Sequence, residues 1–114
     1  MSIDKSQFYQ IFFEETAEHL SEMERLLVNL DLNAPHPEEL NAIFRASHSI
    51  KGASSTFGFQ DLSEVAHILE SALDRIRSGR LVLTKEMVDL FLQAGDLLKD
   101  HLALHKDGRE FDSN

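Results

Sequence analysis

Cysteine is absent from the 114 residues, and with it go disulfide frameworks, thiolate metal centres, iron–sulfur clusters and cysteine nucleophiles. Tryptophan is also absent, aromatics make up 8%, and only two prolines and five glycines punctuate the chain. So few breakers argue against the many short strands of a sandwich or barrel and leave segments of helical length. Positive charge is scarce too: 11 Lys and Arg stand against 20 Asp and Glu, and the net charge of −9 repels a nucleic-acid backbone or an anionic bilayer. No run approaches the ~20 apolar residues that span a bilayer. The start of the chain, with Asp4, Glu14 and Glu15, lacks the basic-then-apolar order of a secretory signal. The expectation is a cytoplasmic, soluble chain with no nucleic-acid partner and no membrane insertion.

Hydrophobic residues make up 42% of the sequence, enough for one core, and the length suits one domain, read here as residues 1–108. Four helices are predicted, at about 5–30, 37–54, 62–78 and 85–106. The first opens on Asp4 and Gln7 as a capping box, with Ile3 and Phe8 as a hydrophobic staple, and buries Phe8, Phe12, Leu20, Met23, Leu27 and Leu30. Pro37 suits the first position of the second helix, whose apolar face is Leu40, Ile43, Phe44, Ser47 and Ile50. Thr56 to Phe59 reads as a turn whose aromatics plug one end of the core. Asp61 and Glu64 form a further capping box before the stripe Leu62, Val65, Ala66, Leu69, Ala72, Leu73 and Ile76, which ends at Gly79. The fourth helix starts after Thr84, buries Met87, Leu90, Phe91, Ala94, Leu97, Leu98 and Leu102, and fades by Asp107 and Gly108; residues 109–114 read as a polar tail. Short connections between consecutive helices favour an antiparallel up-down four-helix bundle, so the fold class is all-α.

With thiol chemistry gone, histidines and carboxylates carry what chemistry there is. Glu64 and His67 have the spacing of one half of a di-iron site, but no second such pair occurs. His101 and His105 could chelate a metal as a pair, yet no third ligand follows from the sequence, so no metal is expected. The nucleophile elbow of serine hydrolases, the phosphate-cradling glycine loop and the kinase signatures are all missing, so the chain has no ATP site and is not a self-sufficient kinase. There remains the run Phe44 to Gly52. On a helix His48, Lys51 and Gly52 share one face. A glycine inside a helix costs ~1 kcal/mol relative to alanine and calls for a reason. Its missing side chain leaves room beside the imidazole, and Lys51 supplies a point charge for a bulky anion such as a phosphoryl group. On the next helix His67 and Glu70 share a face, and either could accept a hydrogen bond from one ring nitrogen of His48 and leave the other free as a nucleophile. By spacing alone, an ordinary solvated helix face stays open beside phosphoryl chemistry.

His48-Ser49-Ile50-Lys51-Gly52, followed by Thr56-Phe57-Gly58-Phe59, resembles the phosphorylation motif of histidine phosphotransfer (HPt) domains, and in particular those that open the chemotaxis histidine kinases of the CheA family. The likeness extends to the Phe8 to Phe13 run, to Leu40 to Ala46 and to Leu90 to Leu92, and so covers nearly the whole chain. It departs at Ala53-Ser54-Ser55, where the family commonly has more glycine. The resemblance implies that His48 receives the γ-phosphoryl of ATP from a separate CheA-type catalytic domain, typically in trans, and passes it to an aspartate of response-regulator receivers such as CheY and CheB. Lys51, Gly52, His67 and Glu70 would be the supporting residues. No cofactor would be held by this domain, since ATP and Mg²⁺ belong to the kinase and receiver domains. The resemblance further implies a homodimeric parent kinase joined through other domains, with a fifth helix beyond this four-helix core and residues 109–114 opening a linker. The competing expectation is a helical interaction module of the same fold whose His48 never carries phosphate.

Overall fold

A computed structural model describes residues 5–112. Among them four helices and no strand occur: α1 (Lys5–Val28), α2 (Pro37–Thr56), α3 (Gln60–Arg77) and α4 (Lys85–Asp112). Asp4 and Ile3, and with them the first capping box and the staple, lie outside the described residues.

The helix ends follow from local chemistry. After α1, the Asp31 carboxylate accepts the Asn33 N–H at 3.0 Å and turns the chain. His36 is the N-cap of α2, its Nδ1 accepting the Glu38 N–H at 3.3 Å, with Pro37 at the first helical position and Glu38 and Glu39 facing the positive end of the helix dipole. Gly58 (φ 80°) and Gly79 (φ 79°) take the left-handed conformation that closes α2 and α3; the Phe59 N–H then reaches Ser54 O at 2.9 Å and the Arg80 N–H reaches Arg75 O at 2.8 Å. Thr84 Oγ1 accepts the Met87 N–H at 3.2 Å and starts α4.

Three local expectations are corrected. The Asp61–Glu64 capping box does not form: α3 starts at Gln60, its N-cap is the buried Phe59, and no side chain caps it. The fourth helix does not fade at Gly108 but runs through it to Asp112, because Gly108, unlike Gly58 and Gly79, has no positive φ and so does not turn the chain. And Phe8, Leu90 and Leu97 are exposed, at 45%, 61% and 45%. On α4 the core takes Val88, Phe91, Leu98 and Leu102, and Leu90 and Leu97 lie about 100° further round the helix.

The helices form a ring in which each packs on two neighbours, α1 on α2 and α4, and α3 on α2 and α4. Between α2 and α3 the antiparallel register shows in side-chain contacts seven residues apart: Asn41 with Arg77, His48 with Glu70, and Ser55 with Ser63. Leu20, Met23, Ile43, Ile50, Leu62, Leu73 and Leu98 fill the centre. At one end Phe12 and Phe13 meet Phe57 and Phe59, with ring centroids 5.0–5.7 Å apart, so the turn before α3 does seal the core. Ser47 is fully buried, and its hydroxyl donates to Phe44 O at 2.7 Å, so α2 can lie close to its neighbours there without an unmet polar group.

Candidate functional site

The middle contact of the α2–α3 register is the candidate site. Ile43, Ala46, Ser47 and Ile50 fix the buried face of α2 and thereby turn His48 outward at the edge facing α3. Leu69 and Leu73 do the same for Glu70 on α3. The Nδ1 of His48 lies 3.1 Å from Glu70 Oε2, while the Lys51 ammonium sits 3.0 Å from Oε1 and 2.9 Å from Oε2 of the same carboxylate. Glu70 is largely covered, at 16% side-chain exposure, whereas the imidazole is 62% exposed. The anchor is therefore sheltered and the ring open to visitors.

Partial burial works to raise the Glu70 carboxyl pKa, but the hydrogen bonds from Lys51 and His48, with the charge on Lys51, outweigh it and leave the group below the ordinary glutamate value. An ionised carboxylate accepts and cannot donate, so a neutral His48 must place its proton on Nδ1. Its Nε2 then carries a lone pair directed away from Glu70. Two neighbours complete the setting. The Phe44 ring lies nearly parallel to the imidazole, 18° between planes and 6.3 Å between centroids. Gly52, one turn after His48, is exposed, and a side chain there would meet nothing within 4 Å.

Of the residues singled out in the sequence, His48, Lys51 and Glu70 are thus brought together, with Gly52 alongside. His67 is not: it is exposed and, among the described residues, makes no hydrogen bond to His48. The register explains why. With 48 opposite 70 in an antiparallel pair, residue 67 falls one turn away, opposite residue 51.

Two arrangements are not legible in the sequence. The Arg77 guanidinium stacks over Phe44, 3.7 Å from the ring centroid, steadied by Asp74 Oδ1 at 2.9 Å. At the other end of α3, Asp61 accepts from His101 Nδ1 at 2.7 Å and from His105 Nε2 at 2.8 Å. Partial burial opposes ionisation of Asp61, but the two imidazoles and the Leu62 N–H prevail and lower its pKa to about 2. The i, i+4 pair on α4 was visible in the sequence; a partner forty residues earlier was not. Among the described residues no group of three or more such side chains is set to hold a metal ion.

Known proteins resemble this chain in sequence and in fold. A family model described as the Hpt domain matches residues 7–107. The chemotaxis protein CheA of Salmonella typhimurium is 45% identical over 113 residues, 99% of this chain. The chain spans 17% of the length of that relative. In three dimensions it resembles the CheA phosphotransferase domain from Thermotoga maritima, with a TM-score of 0.82 and 28% identity over 89% of this chain and 96% of that one. It also resembles the phosphorylated P1 domain of CheA3 in complex with CheY6 from R. sphaeroides, with a TM-score of 0.83 and 25% identity over 90% of this chain and 80% of that one.

Proposed function

This chain belongs to the Hpt domain family, as a phosphotransfer domain of the CheA kind, and on that premise we propose that His48 is its phosphoryl carrier, reacting through Nε2. The observation that supports the atom is the bond from Nδ1 to Glu70, which leaves Nε2 as the free nucleophile.

In the first step a separate kinase catalytic domain presents ATP. The Nε2 lone pair attacks the γ-phosphorus, the N–P bond forms, and the bond from phosphorus to the bridging oxygen breaks, with both its electrons leaving on ADP. The ring becomes positively charged, and Glu70, already ionised, holds that charge through the Nδ1–H. Lys51 lies beside the site and can follow the new anion as a flexible point charge. Gly52 leaves the space the phosphoryl oxygens fill. In the second step a receiver aspartate oxygen attacks the phosphorus: the O–P bond forms, the N–P bond breaks, and its electron pair returns to Nε2 and leaves the ring neutral, with Mg²⁺ belonging to the receiver's side. The solved complex of a phosphorylated CheA3 P1 domain with CheY6 is a precedent for such a visitor; receivers of the CheY and CheB classes are the partners we propose here. High exposure suits a group that two proteins must reach in turn, and placement on a packed helix keeps it in register for both.

His67 is a supporting residue only in the sense that it borders the Lys51 side of the site. Among the described residues no helix is long and apolar enough to cross a membrane. A cytoplasmic setting, where ATP is at hand, is part of the proposal.

Incubation with the catalytic core of the cognate kinase, ATP and Mg²⁺ should place acid-labile, base-stable phosphate on the wild-type chain and none on His48→Gln. Equal labelling of both would move the carrier to another residue. No label from a cognate core that is active on another substrate would turn the reading toward an unphosphorylated interaction module.

A further inference from the structure

Helix α3 offers a carboxylate to each of its neighbours. Glu70 faces α2 and Asp61 faces α4. His101 stands to Asp61 as His48 stands to Glu70: in both, a helical histidine sets Nδ1 against an α3 carboxylate, at 2.7 Å and 3.1 Å respectively, and keeps much of its ring in solvent, 41% and 62%. With the proton of His101 on Nδ1, its Nε2 keeps a lone pair, as at His48. The neighbouring cation differs in kind. Lys51 shares Glu70 with His48, whereas His105, one turn after His101, shares Asp61 through Nε2 at 2.8–2.9 Å and brings positive charge there when protonated. Asp61 itself stays ionised far below neutrality. His19, His36 and His67 have no such carboxylate among the described residues.

We propose that His101 is a second phosphoryl acceptor of this chain, reactive at Nε2 toward small donors of the phosphoramidate or acyl phosphate class. Nε2 attacks phosphorus and the N–P bond forms. The bond from phosphorus to the donor's nitrogen or oxygen breaks, and its electron pair leaves with the amine, which takes a proton from water, or with the carboxylate. The positive charge left on the ring is met by Asp61 across the Nδ1–H bond. The argument uses the local arrangement around His101 and does not depend on the role of His48.

The test needs no kinase. His48→Gln is treated with potassium phosphoramidate at neutral pH, and phosphohistidine is mapped by mass spectrometry under non-acidic conditions, with wild type in parallel so that His48 reports on the reagent. His101 should be labelled about tenfold faster than His19, His36 or His67, a ratio matching one charge-assisted hydrogen bond. His101→Gln should remove that label, and Asp61→Asn should bring the rate down toward the other histidines, with Asp61→Glu restoring it. Circular dichroism identifies any variant that fails to fold. Even labelling of all exposed histidines, or label on wild-type His48 with none on His101, would overturn the proposal. So would an absence of label on both, which would leave the kinase experiment on His48 untouched.

Discussion

Two side chains, His48 and Lys51, share the covered carboxylate of Glu70 at the proposed site, so Glu70 is the first residue to test. In Glu70→Gln an oxygen remains for the His48 Nδ1–H while the charge is lost. A hydrogen bond to a charged group contributes roughly 1.5–3 kcal/mol, of which a neutral acceptor keeps about half, so phosphorylation of His48 should slow by about tenfold. Substrate affinity should hardly change, because Glu70 touches the ring and not the donor. Steady-state labelling against the kinase core separates the two, and a change confined to KM would remove Glu70 from the orienting role. Gly52 poses a sharper question. It lies inside α2 with open space around it, so packing does not require glycine there. Gly52→Ala should therefore raise stability by about 0.5–1 kcal/mol, or a few degrees in Tm. If the space serves the phosphoryl group, the same variant should be slower to accept phosphate. A more stable protein with an unchanged labelling rate would show that the clearance has no part in the transfer.

At the scale of the helices, periodicity and caps made the four elements legible, because an apolar stripe repeats every three or four residues and Pro37, Thr84 and the two turning glycines sit at its ends. Two kinds of feature escaped. Stripe width misled at Leu90 and Leu97, since α4 carries more apolar surface than its neighbours cover, and sequence alone does not say which flank they cover. Register was the other, for spacing put Glu70 and His67 on one face while only the α2–α3 alignment decided that Glu70 meets His48. Near the end of α2, Ser54 is fully buried and its hydroxyl lacks a hydrogen-bond partner among the described residues. Ser54→Ala removes a polar atom that lost its water on folding, and should stabilise the protein by about 1 kcal/mol. A loss of stability on thermal melting would mean the hydroxyl fills space the core needs. Between α3 and α4 the Asp61 cluster makes a prediction about acid. A carboxyl whose pKa falls from 3.8 to about 2 on folding contributes stability that is complete above its unfolded value and is lost as pH drops toward 2. Since Asp61 is about a third exposed, screening leaves roughly 1 kcal/mol of that contribution. Asp61→Asn should be less stable than wild type at pH 5, with the gap narrowing by pH 2; a constant gap would assign the loss to packing alone.

The whole molecule is small against the range of its own electrostatics. It measures 51 × 26 × 21 Å and carries a net charge of −9. At about 10 mM salt the screening length is ~30 Å, longer than either short dimension, so carboxylates on opposite sides of the bundle repel one another. At about 150 mM it is ~8 Å, and only near neighbours interact. Attraction is already local: Arg25 with Glu22, Lys51 with Glu70, Arg77 with Asp74 and Lys99 with Glu24 are all direct contacts, and such pairs lose less to screening than distant repulsions do. Adding salt across this range should therefore remove more repulsion than attraction and raise Tm by a few degrees, on the order of 1 kcal/mol for a domain of this size. Calorimetry at pH 7.5 over a salt series measures it directly. A falling Tm would mean that the ion pairs outweigh the net charge. The same field bears on function, because any acidic partner must approach against it. Arg45, Lys51 and Arg77 surround the face on which His48 is presented, Arg45 exposed beside it and Arg77 stacked on Phe44 one turn before it, so this part of the surface is where the repulsion is locally relieved. Replacing Arg45 and Arg77 with glutamine should leave the fold intact and slow association with an acidic receiver about tenfold at low salt, with the difference shrinking as salt rises. Stopped-flow mixing at two salt concentrations would show whether the effect lies in the association rate; an effect confined to dissociation would mean that the arginines act in the bound complex and not on the approach.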